Sequence, residues 1–340
     1  MLKRKLGLFE INPLGLGCMG MSEFYGSVDD ERSERVLHRA LELSVDHFDT
    51  ADMYGYGHNE TLLGRVLNAS GRRNCVVIAT KCGIVRDRTD PTRRGIDNSP
   101  AYIRESCARS TDRLKTHIDL FYLHRITGYG ERIEESMSAM ADLLAAGAIA
   151  AVGLSEANAA TIGRAHRELL RLSHGRHGLS AVQTEYSLMS RDIERNGVLA
   201  ICRELGIAVV AYSPIGRGLL GGALRSTDDL DEKDFRRTLP RFSKEAIVAN
   251  SRFATSLDNV AQRLGLSASE LAIAWVLHQG QNVLAIPGTT QLKNLERNVA
   301  ARDIALTADT LQTLDALVQQ TPTQGARYPT EVMSAYGLNR

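Results

Sequence analysis

The chain has 340 residues, 43% of them hydrophobic, with 41 Lys and Arg against 40 Asp and Glu and a formal net charge of +1. That length supports a sizeable core, since a chain of ~300 residues buries roughly three quarters of its extended surface, while the even charge balance provides no electrostatic footprint for nucleic acid or an anionic membrane. Five scattered cysteines (Cys18, Cys75, Cys82, Cys107 and Cys202) without CxxC spacing argue against a disulfide framework or a thiolate zinc site and fit a reducing compartment, so a cytoplasmic protein is expected.

The first segment, Met1 to Glu10, is charged and holds too few apolar residues for a signal-peptide core. After it, short apolar β-rich runs alternate with helical ones. Strands are predicted at Pro13–Gly17, Val45–Thr50, Cys75–Lys81, Ile118–His124, Ala150–Leu154, Ala181–Glu185, Ile207–Ser213 and Val283–Pro287. Helices are predicted between them at Asp30–Leu43, Asn59–Leu67, Pro100–Lys115, Ile133–Ala146, Ala159–Leu170, Asn196–Leu205 and Ser251–Leu264. A further pair, Ala268–His278 and Leu292–Ala301, flanks the last strand, and Thr307–Gln319 reads as one extra helix before a polar tail. Asp29-Asp30-Glu31 puts negative charge where the first helix dipole favours it, and Gly147, Gly206 and Gly265 read as helix-terminating glycines. The Ala-rich stretch from Met137 to Leu154 comes nearest to a membrane span, but Asp142 and Gly147 interrupt it, so it reads as helix then strand.

Eight strands alternating with helices predict a parallel sheet covered on both faces, and eight in this length favours a closed (β/α)8 barrel over an open doubly wound sheet. No Pro-, Gly- or Ser-rich linker divides the chain, so residues 1–340 are expected to form one domain. The long non-periodic stretches, Arg86–Ser99 and Gly216–Glu245, are expected to be loops over the active face. In the second, Arg236-Arg237 with the acids from Asp228 to Asp234 read either as a lid or as a charged loop.

Gly15-Leu-Gly17-Cys-Met-Gly20 fits the G-x-G-x-x-G pattern of a dinucleotide-binding turn. That reading requires a helix to open at the third glycine and an acid to end the next strand for a ribose. Eight residues, Met21 to Val28, intervene before any helical pattern, and the reading is rejected. The histidines at 166, 174 and 177 lack a ligand set with convincing spacing, and no metal is expected.

Four other polar residues fall at or just beyond predicted strand ends: Asp49, Tyr54, Lys81 and His124. Taken singly, each is as readily a loop anchor, an ion pair or a packed core residue. In a barrel, however, strand C-termini converge on one face. A tyrosine, with pKa ~10, is a poor acid at neutral pH, and an adjacent ammonium is expected to lower that value. A carboxylate keeps the lysine charged and aimed, and a histidine orients a carbonyl oxygen. Such a cluster protonates an oxygen as hydride reaches the adjacent carbon, and general acid catalysis contributes ~10²–10⁴-fold.

The run Phe48-Asp49-Thr-Ala-Asp-Met-Tyr54-Gly with Asn59-Glu60 resembles a motif of the aldo-keto reductase superfamily. So do Thr80-Lys81, Tyr122-Leu-His124-Arg125, Val152-Gly-Leu-Ser155-Glu156, Val182-Gln183-Thr-Glu-Tyr186, Ala211-Tyr212-Ser213-Pro214-Ile-Gly216-Arg-Gly218 and Ile286-Pro287-Gly288-Thr289-Thr290. The resemblance runs from about Leu6 to Ala301 and is closest to the general bacterial, fungal and plant members. It implies a barrel closed at the bottom by a hairpin within Arg4–Gly17, and reversible NADPH-dependent reduction of aldehydes or ketones, with NADH as the second candidate cofactor. It implies Asp49, Tyr54, Lys81 and His124 as the catalytic tetrad, with Tyr54 the proton donor. Ser155 and Gln183 would hold the carboxamide and Tyr212 would stack on the nicotinamide. Ser213, Pro214, Gly216, Gly218 and Leu219 would line the pyrophosphate, and Gly288, Thr289, Thr290, Asn294 and Asn298 would hold the adenosine end. Glu156 stands where many members have Asn, and the cations nearest the adenosine end are Lys293 and Arg297.

Substrate-pocket candidates are Met21, Tyr25, Ile84, Arg86, Tyr129 and Tyr328, an apolar and partly aromatic set. The substrate itself and the oligomeric state are not legible. The alternative from a different class is a non-catalytic partner subunit that binds the cofactor while serving a channel; the short run before Leu6 is expected to disfavour it. An aldolase or sugar isomerase barrel would want a Schiff-base lysine with a phosphate site, or a metal set, and neither explains Tyr212-Ser-Pro.

Overall fold

In the computed structural model, which describes residues 3–87, 89–90 and 94–335, the chain starts with an antiparallel hairpin, β1 (Arg4–Leu6) and β2 (Phe9–Ile11). The barrel strands follow as β3 (Leu16–Gly17), β4 (His47–Asp49) and β5 (Val77–Cys82). A second antiparallel hairpin, β6 (Ile84–Arg86) and β7 (Arg94–Ile96), interrupts the alternation. The barrel resumes with β8 (Ile118–Leu123), β9 (Ile149–Ser155), β10 (Ala181–Glu185), β11 (Ala208–Tyr212) and β12 (Val283–Ala285). The intervening helices are α1 (Asp30–Glu42), α2 (His58–Ala69), α3 (Pro100–Leu114), α4 (Ile133–Ala145), α5 (Ala159–Leu172), α6 (Val198–Glu204), α7 (Lys244–Arg263) and α8 (Ala268–Leu277). Beyond β12 come α9 (Leu292–Ala300), α10 (Ala308–Gln320) and a short α11 (Thr330–Ala335).

The eight strands β3, β4, β5, β8, β9, β10, β11 and β12 lie in that order in one parallel sheet. Parallel bridges between Leu14 and Ala285 and between Gly17 and Gly288 join its first and last strands, so the sheet curls into a (β/α)8 barrel. This is what the apolar runs predict: β5 and β8 are buried at every position, as strands covered on both faces must be. Side chains alternate between two cores. Val77, Ala79, Leu120, Tyr122, Ala151, Ala208, Val210 and Leu284 fill the barrel with Leu6 and Ile11 of the hairpin. Ile78, Phe121, Val152, Val182 and Val209 face the helices. Arg4 seals the floor by donating to the carbonyls of Leu277, Gly280 and Val283.

Two of the three glycines of the rejected dinucleotide pattern act at the seam, where the Gly15 and Gly17 amides donate to the Ala285 and Pro287 carbonyls. A Cβ on Gly15 would lie 2.7 Å from the His47 carbonyl, and one on Gly17 would lie 2.9 Å from the Ile286 carbonyl. Only bare backbone allows that approach. The first helix begins at Asp30, where the Asp29 side chain accepts from the Arg32 amide.

Two expectations change. The stretch Arg86–Ser99 carries the β6–β7 hairpin, and Gly216–Glu245 winds through 3₁₀ turns at Gly216–Gly221, Thr227–Asp229, Phe235–Thr238 and Pro240–Phe242. The helix predicted from Ser251 starts at Lys244, because Ser243 caps it by accepting from the Ala246 amide. Among the described residues no helix is long and apolar enough to cross a membrane, and no three His, Cys, Asp or Glu side chains group as a metal site.

Candidate active site

Period-two alternation fixes which residues reach the barrel mouth. On β4, His47 and Asp49 share the inward face; on β5 it is Val77, Ala79 and Lys81, and on β8 Leu120 and Tyr122, with His124 next in phase. The same counting puts Ser155 and Tyr212 at the last positions of β9 and β11 and Gln183 in the middle of β10, level with Ser155 in the register. Tyr54 arrives from the loop after β4, in a 3₁₀ turn that Gly55, Tyr56 and Gly57 bend with φ of 56°, 54° and 94°.

These residues meet. The Lys81 ammonium, with no exposed surface, lies 2.5 Å from Asp49 Oδ1, donates to the Thr50 carbonyl at 2.7 Å and stands 3.5 Å from the Tyr54 hydroxyl. The other Asp49 oxygen accepts from Gln183 Nε2 at 2.7 Å. The His124 ring meets Tyr54 edge-on, centroids 5.7 Å apart at 84°. Behind them, Glu60 of α2 accepts from Thr80 and pairs with Arg113, while Asn59 accepts from Thr50 and donates to the Cys18 carbonyl. The Asn59-Glu60 pair therefore braces the loop that carries Tyr54.

The electrostatics differ from the expectation at one point. Burial first, and the Asp49 charge second, hold the Tyr54 phenol well above its usual range, rather than below it. Lys81 is nearer to Asp49 than to the phenol, so its charge is largely neutralised by the carboxylate. Burial also lowers Lys81, against the pull of Asp49. Burial, aided by Lys81 and Arg125, holds His124 well below its usual value, so the imidazole is neutral at pH 7.

The tetrad wall opens into a cavity of about 660 Å³. Asp49, Tyr54 and His124 line one part of it; Lys81 stays behind them. Ser155, Gln183, Tyr212, Ser213, Pro214 and Gly218 line its middle, and Gly288, Thr289, Thr290, Asn294 and Asn298 its far part. Three of the cofactor candidates do not line it: Gly216, which turns the loop at φ 57°, Leu219, which packs in the core, and Lys293, which is exposed. Arg297 does line it. Of the pocket candidates, Tyr25, Ile84 and Tyr328 line the cavity, with Met19, Phe24, Met53 and Phe235 alongside. Met21 is buried in the core, Arg86 grips Glu23 at 2.7 Å, and the Tyr129 side chain lies outside the described residues.

Sequence reading missed Arg217 and Arg327. Arg217 Nη2 donates to the Tyr328 hydroxyl at 2.7 Å, and Arg327 grips Glu156 with both terminal nitrogens at 3.1 Å. Arg217 falls inside the run from Ala211 to Gly218, where the resemblance assigns roles only to its neighbours, and Arg327 has no periodic or motif signal, because its partner is 171 residues away.

A family model described as the Aldo/keto reductase family matches residues 13–319. A curated relative from Schizosaccharomyces pombe, aldo-keto reductase yakc, whose name includes NADP(+), is 38% identical over 329 residues, 96% of this chain and 94% of its own. The solved glycerol dehydrogenase of Gluconobacter oxydans superposes with a TM-score of 0.81 at 26% identity, covering 97% and 98% of the two chains. The holo form of an aldo-keto reductase from Bacillus halodurans superposes with a TM-score of 0.72 at 28% identity, covering 97% and 99%.

Proposed function

The chain belongs to the aldo/keto reductase family, and from that premise we propose that it reduces aldehyde or ketone carbonyls to alcohols with NADPH, Tyr54 supplying the proton. The observation that carries this reading is the meeting of Tyr54, Lys81, Asp49 and His124 at the wall of one long cavity.

The cavity suits a dinucleotide in its chemistry. The Tyr212 ring offers a face for a nicotinamide, Ser155 and Gln183 offer groups for its carboxamide, and Ser213, Pro214 and the bare backbone of Gly218 suit a pyrophosphate. Gly288, Thr289, Thr290, Asn294 and Asn298 suit an adenosine, and Arg297 supplies a cation for a 2′-phosphate. The NADP(+) in the name of the fission yeast relative supports that phosphate. When bound, the reduced nicotinamide supplies a hydride.

The protein's own residues do the rest. A substrate carbonyl oxygen between Tyr54 and His124 meets two neutral groups able to donate hydrogen bonds, since burial keeps the phenol protonated and the imidazole uncharged. As negative charge develops on that oxygen, the Tyr54 hydroxyl gives up its proton. The phenolate so formed sits beside the Lys81 ammonium, 3.5 Å away, which stabilises it more than it stabilised the phenol. Asp49 keeps Lys81 aimed. Met19, Phe24, Met53, Ile84 and Phe235 give the mouth an apolar wall suited to a hydrophobic carbonyl compound.

The test is Tyr54→Phe. Turnover of a generic aldehyde with NADPH should fall ~10²–10⁴-fold, while NADPH affinity, read by fluorescence, stays within a few-fold. A variant retaining more than about a tenth of wild-type turnover removes Tyr54 as the acid.

A further inference from the structure

Glu156 follows the end of β9 in the left-handed region, with φ at 57°, and its side chain is only 3% exposed. Its carboxylate does not stand free to meet a ligand. Oε1 accepts from the Tyr212 hydroxyl at 2.8 Å, the Glu185 amide at 2.9 Å and Arg327 Nη1 at 3.1 Å, and Oε2 accepts from Arg327 Nη2 at 3.1 Å. Burial opposes the charge, but Arg327 and Arg125 hold the Glu156 carboxyl down at about 2. The bidentate Arg327 contact is thus the direct cationic partner of a buried carboxylate, and that carboxylate is the acceptor fixing the Tyr212 hydroxyl.

Arg327 belongs to the segment between α10 and α11, which lies firmly against the barrel mouth. Thr323 donates to the Met189 carbonyl at 3.3 Å, and Gln324 exchanges bonds with the Asn250 side chain at 2.9 and 3.0 Å. The next residue, Tyr328, is 7% exposed, lines the cavity and lies with its hydroxyl 3.4 Å from that of Tyr212.

We propose that Arg327 is a positioning residue for the nicotinamide end of the site: acting through Glu156, it holds the Tyr212 ring in place before the cofactor arrives, so the C-terminal segment is a working part of the binding site. This rests on the reading of Tyr212 as the nicotinamide-stacking face. A ring already held by its hydroxyl loses little rotamer freedom on stacking, whereas a released ring must be ordered by the ligand. Without Arg327 the buried carboxylate has lost its forked partner, and protonation or movement of Glu156 removes the fixed acceptor of Tyr212.

The experiment compares two probes: NADPH, which reaches Tyr212, and the adenosine bisphosphate corresponding to its far half, which does not. Arg327→Met should weaken NADPH about tenfold and leave the adenosine bisphosphate within twofold. Arg327→Lys, which keeps the charge without the fork, should recover part of the loss. Tyr212→Phe, which deletes only the hydroxyl, should show the same selective loss and decides the matter if Arg327→Met does not fold. Equal losses for both probes, or none for either, would mean that Arg327 merely tethers the tail, and the proposal falls. Tyr212→Ala separates the two levels. If it leaves NADPH binding intact, the stacking role itself is wrong; if it weakens NADPH while Arg327→Met and Tyr212→Phe do not, only the positioning role is wrong.

Discussion

Lys81→Met should destabilise the protein far more than replacing the whole ion pair does. Lys81 is 0% exposed, and the variant leaves Asp49 with Gln183 as its remaining side-chain donor. Removing one partner of a buried pair costs about 3–5 kcal/mol, because the other charge stays buried without its counter-charge. Asp49→Asn/Lys81→Met removes both charges, keeps an acceptor for Gln183, and should lie within about 1–2 kcal/mol of wild type. Urea unfolding of the three proteins at pH 7, at matched m-values, measures this. Turnover should stay low in both variants. A single variant within about 1 kcal/mol of wild type, or a double variant no more stable than the single one, would refute the argument.

Arg297→Ala should weaken NADPH by about 10–100-fold, the worth of one charge-assisted phosphate contact, and NADH little, whereas Lys293→Ala, outside the cavity lining, should leave both nearly unchanged; comparable losses for the two cofactors with Arg297→Ala would remove that cation from a phosphate site. His47 is fully buried, neither ring nitrogen finds a partner, and burial lowers its pKa to about 4. Because the folded value lies below the unfolded ~6.5, stability is full above that pH and is lost as pH falls towards 4, by about 2 kcal/mol between pH 7 and pH 5. His47→Gln should flatten that slope in urea unfolding, and an unchanged slope would assign the acid sensitivity elsewhere.

Much of this architecture is written in local pattern. Strands buried on both faces appear as largely apolar runs, so β8 is recognisable from Ile118 onward, with Asp119 as its single polar residue. Once the strands are in phase, Asp49, Lys81, His124, Ser155, Gln183 and Tyr212 fall on one face by counting in twos. What escapes is what has no period. The β6 and β7 strands have three residues each, too few to alternate visibly, and Asp87 and Asp90 between them read as loop. Arg327 bonds across 171 residues to Glu156, and nothing near either residue announces the other. The direction of the Tyr54 shift escaped for a different reason: it depends on competing distances, 2.5 Å from Lys81 to Asp49 against 3.5 Å to the phenol, and on how deeply all three are buried.

The seam where Gly15 and Gly17 meet β12 also orders the folding of the chain in time. Leu14 bridges Ala285, so the first barrel strand waits for the last before its outer edge is paired. During synthesis, β3 to β11 emerge as an open, curling sheet with unpaired backbone at both margins, the kind of edge on which other chains add. A nascent chain stalled between Tyr212 and Val283 is held in that state, with most of its sheet made and neither margin closed. Substitutions that crowd the seam, such as Gly17→Val, should therefore show themselves first as aggregation during refolding, ahead of any loss in the finished enzyme.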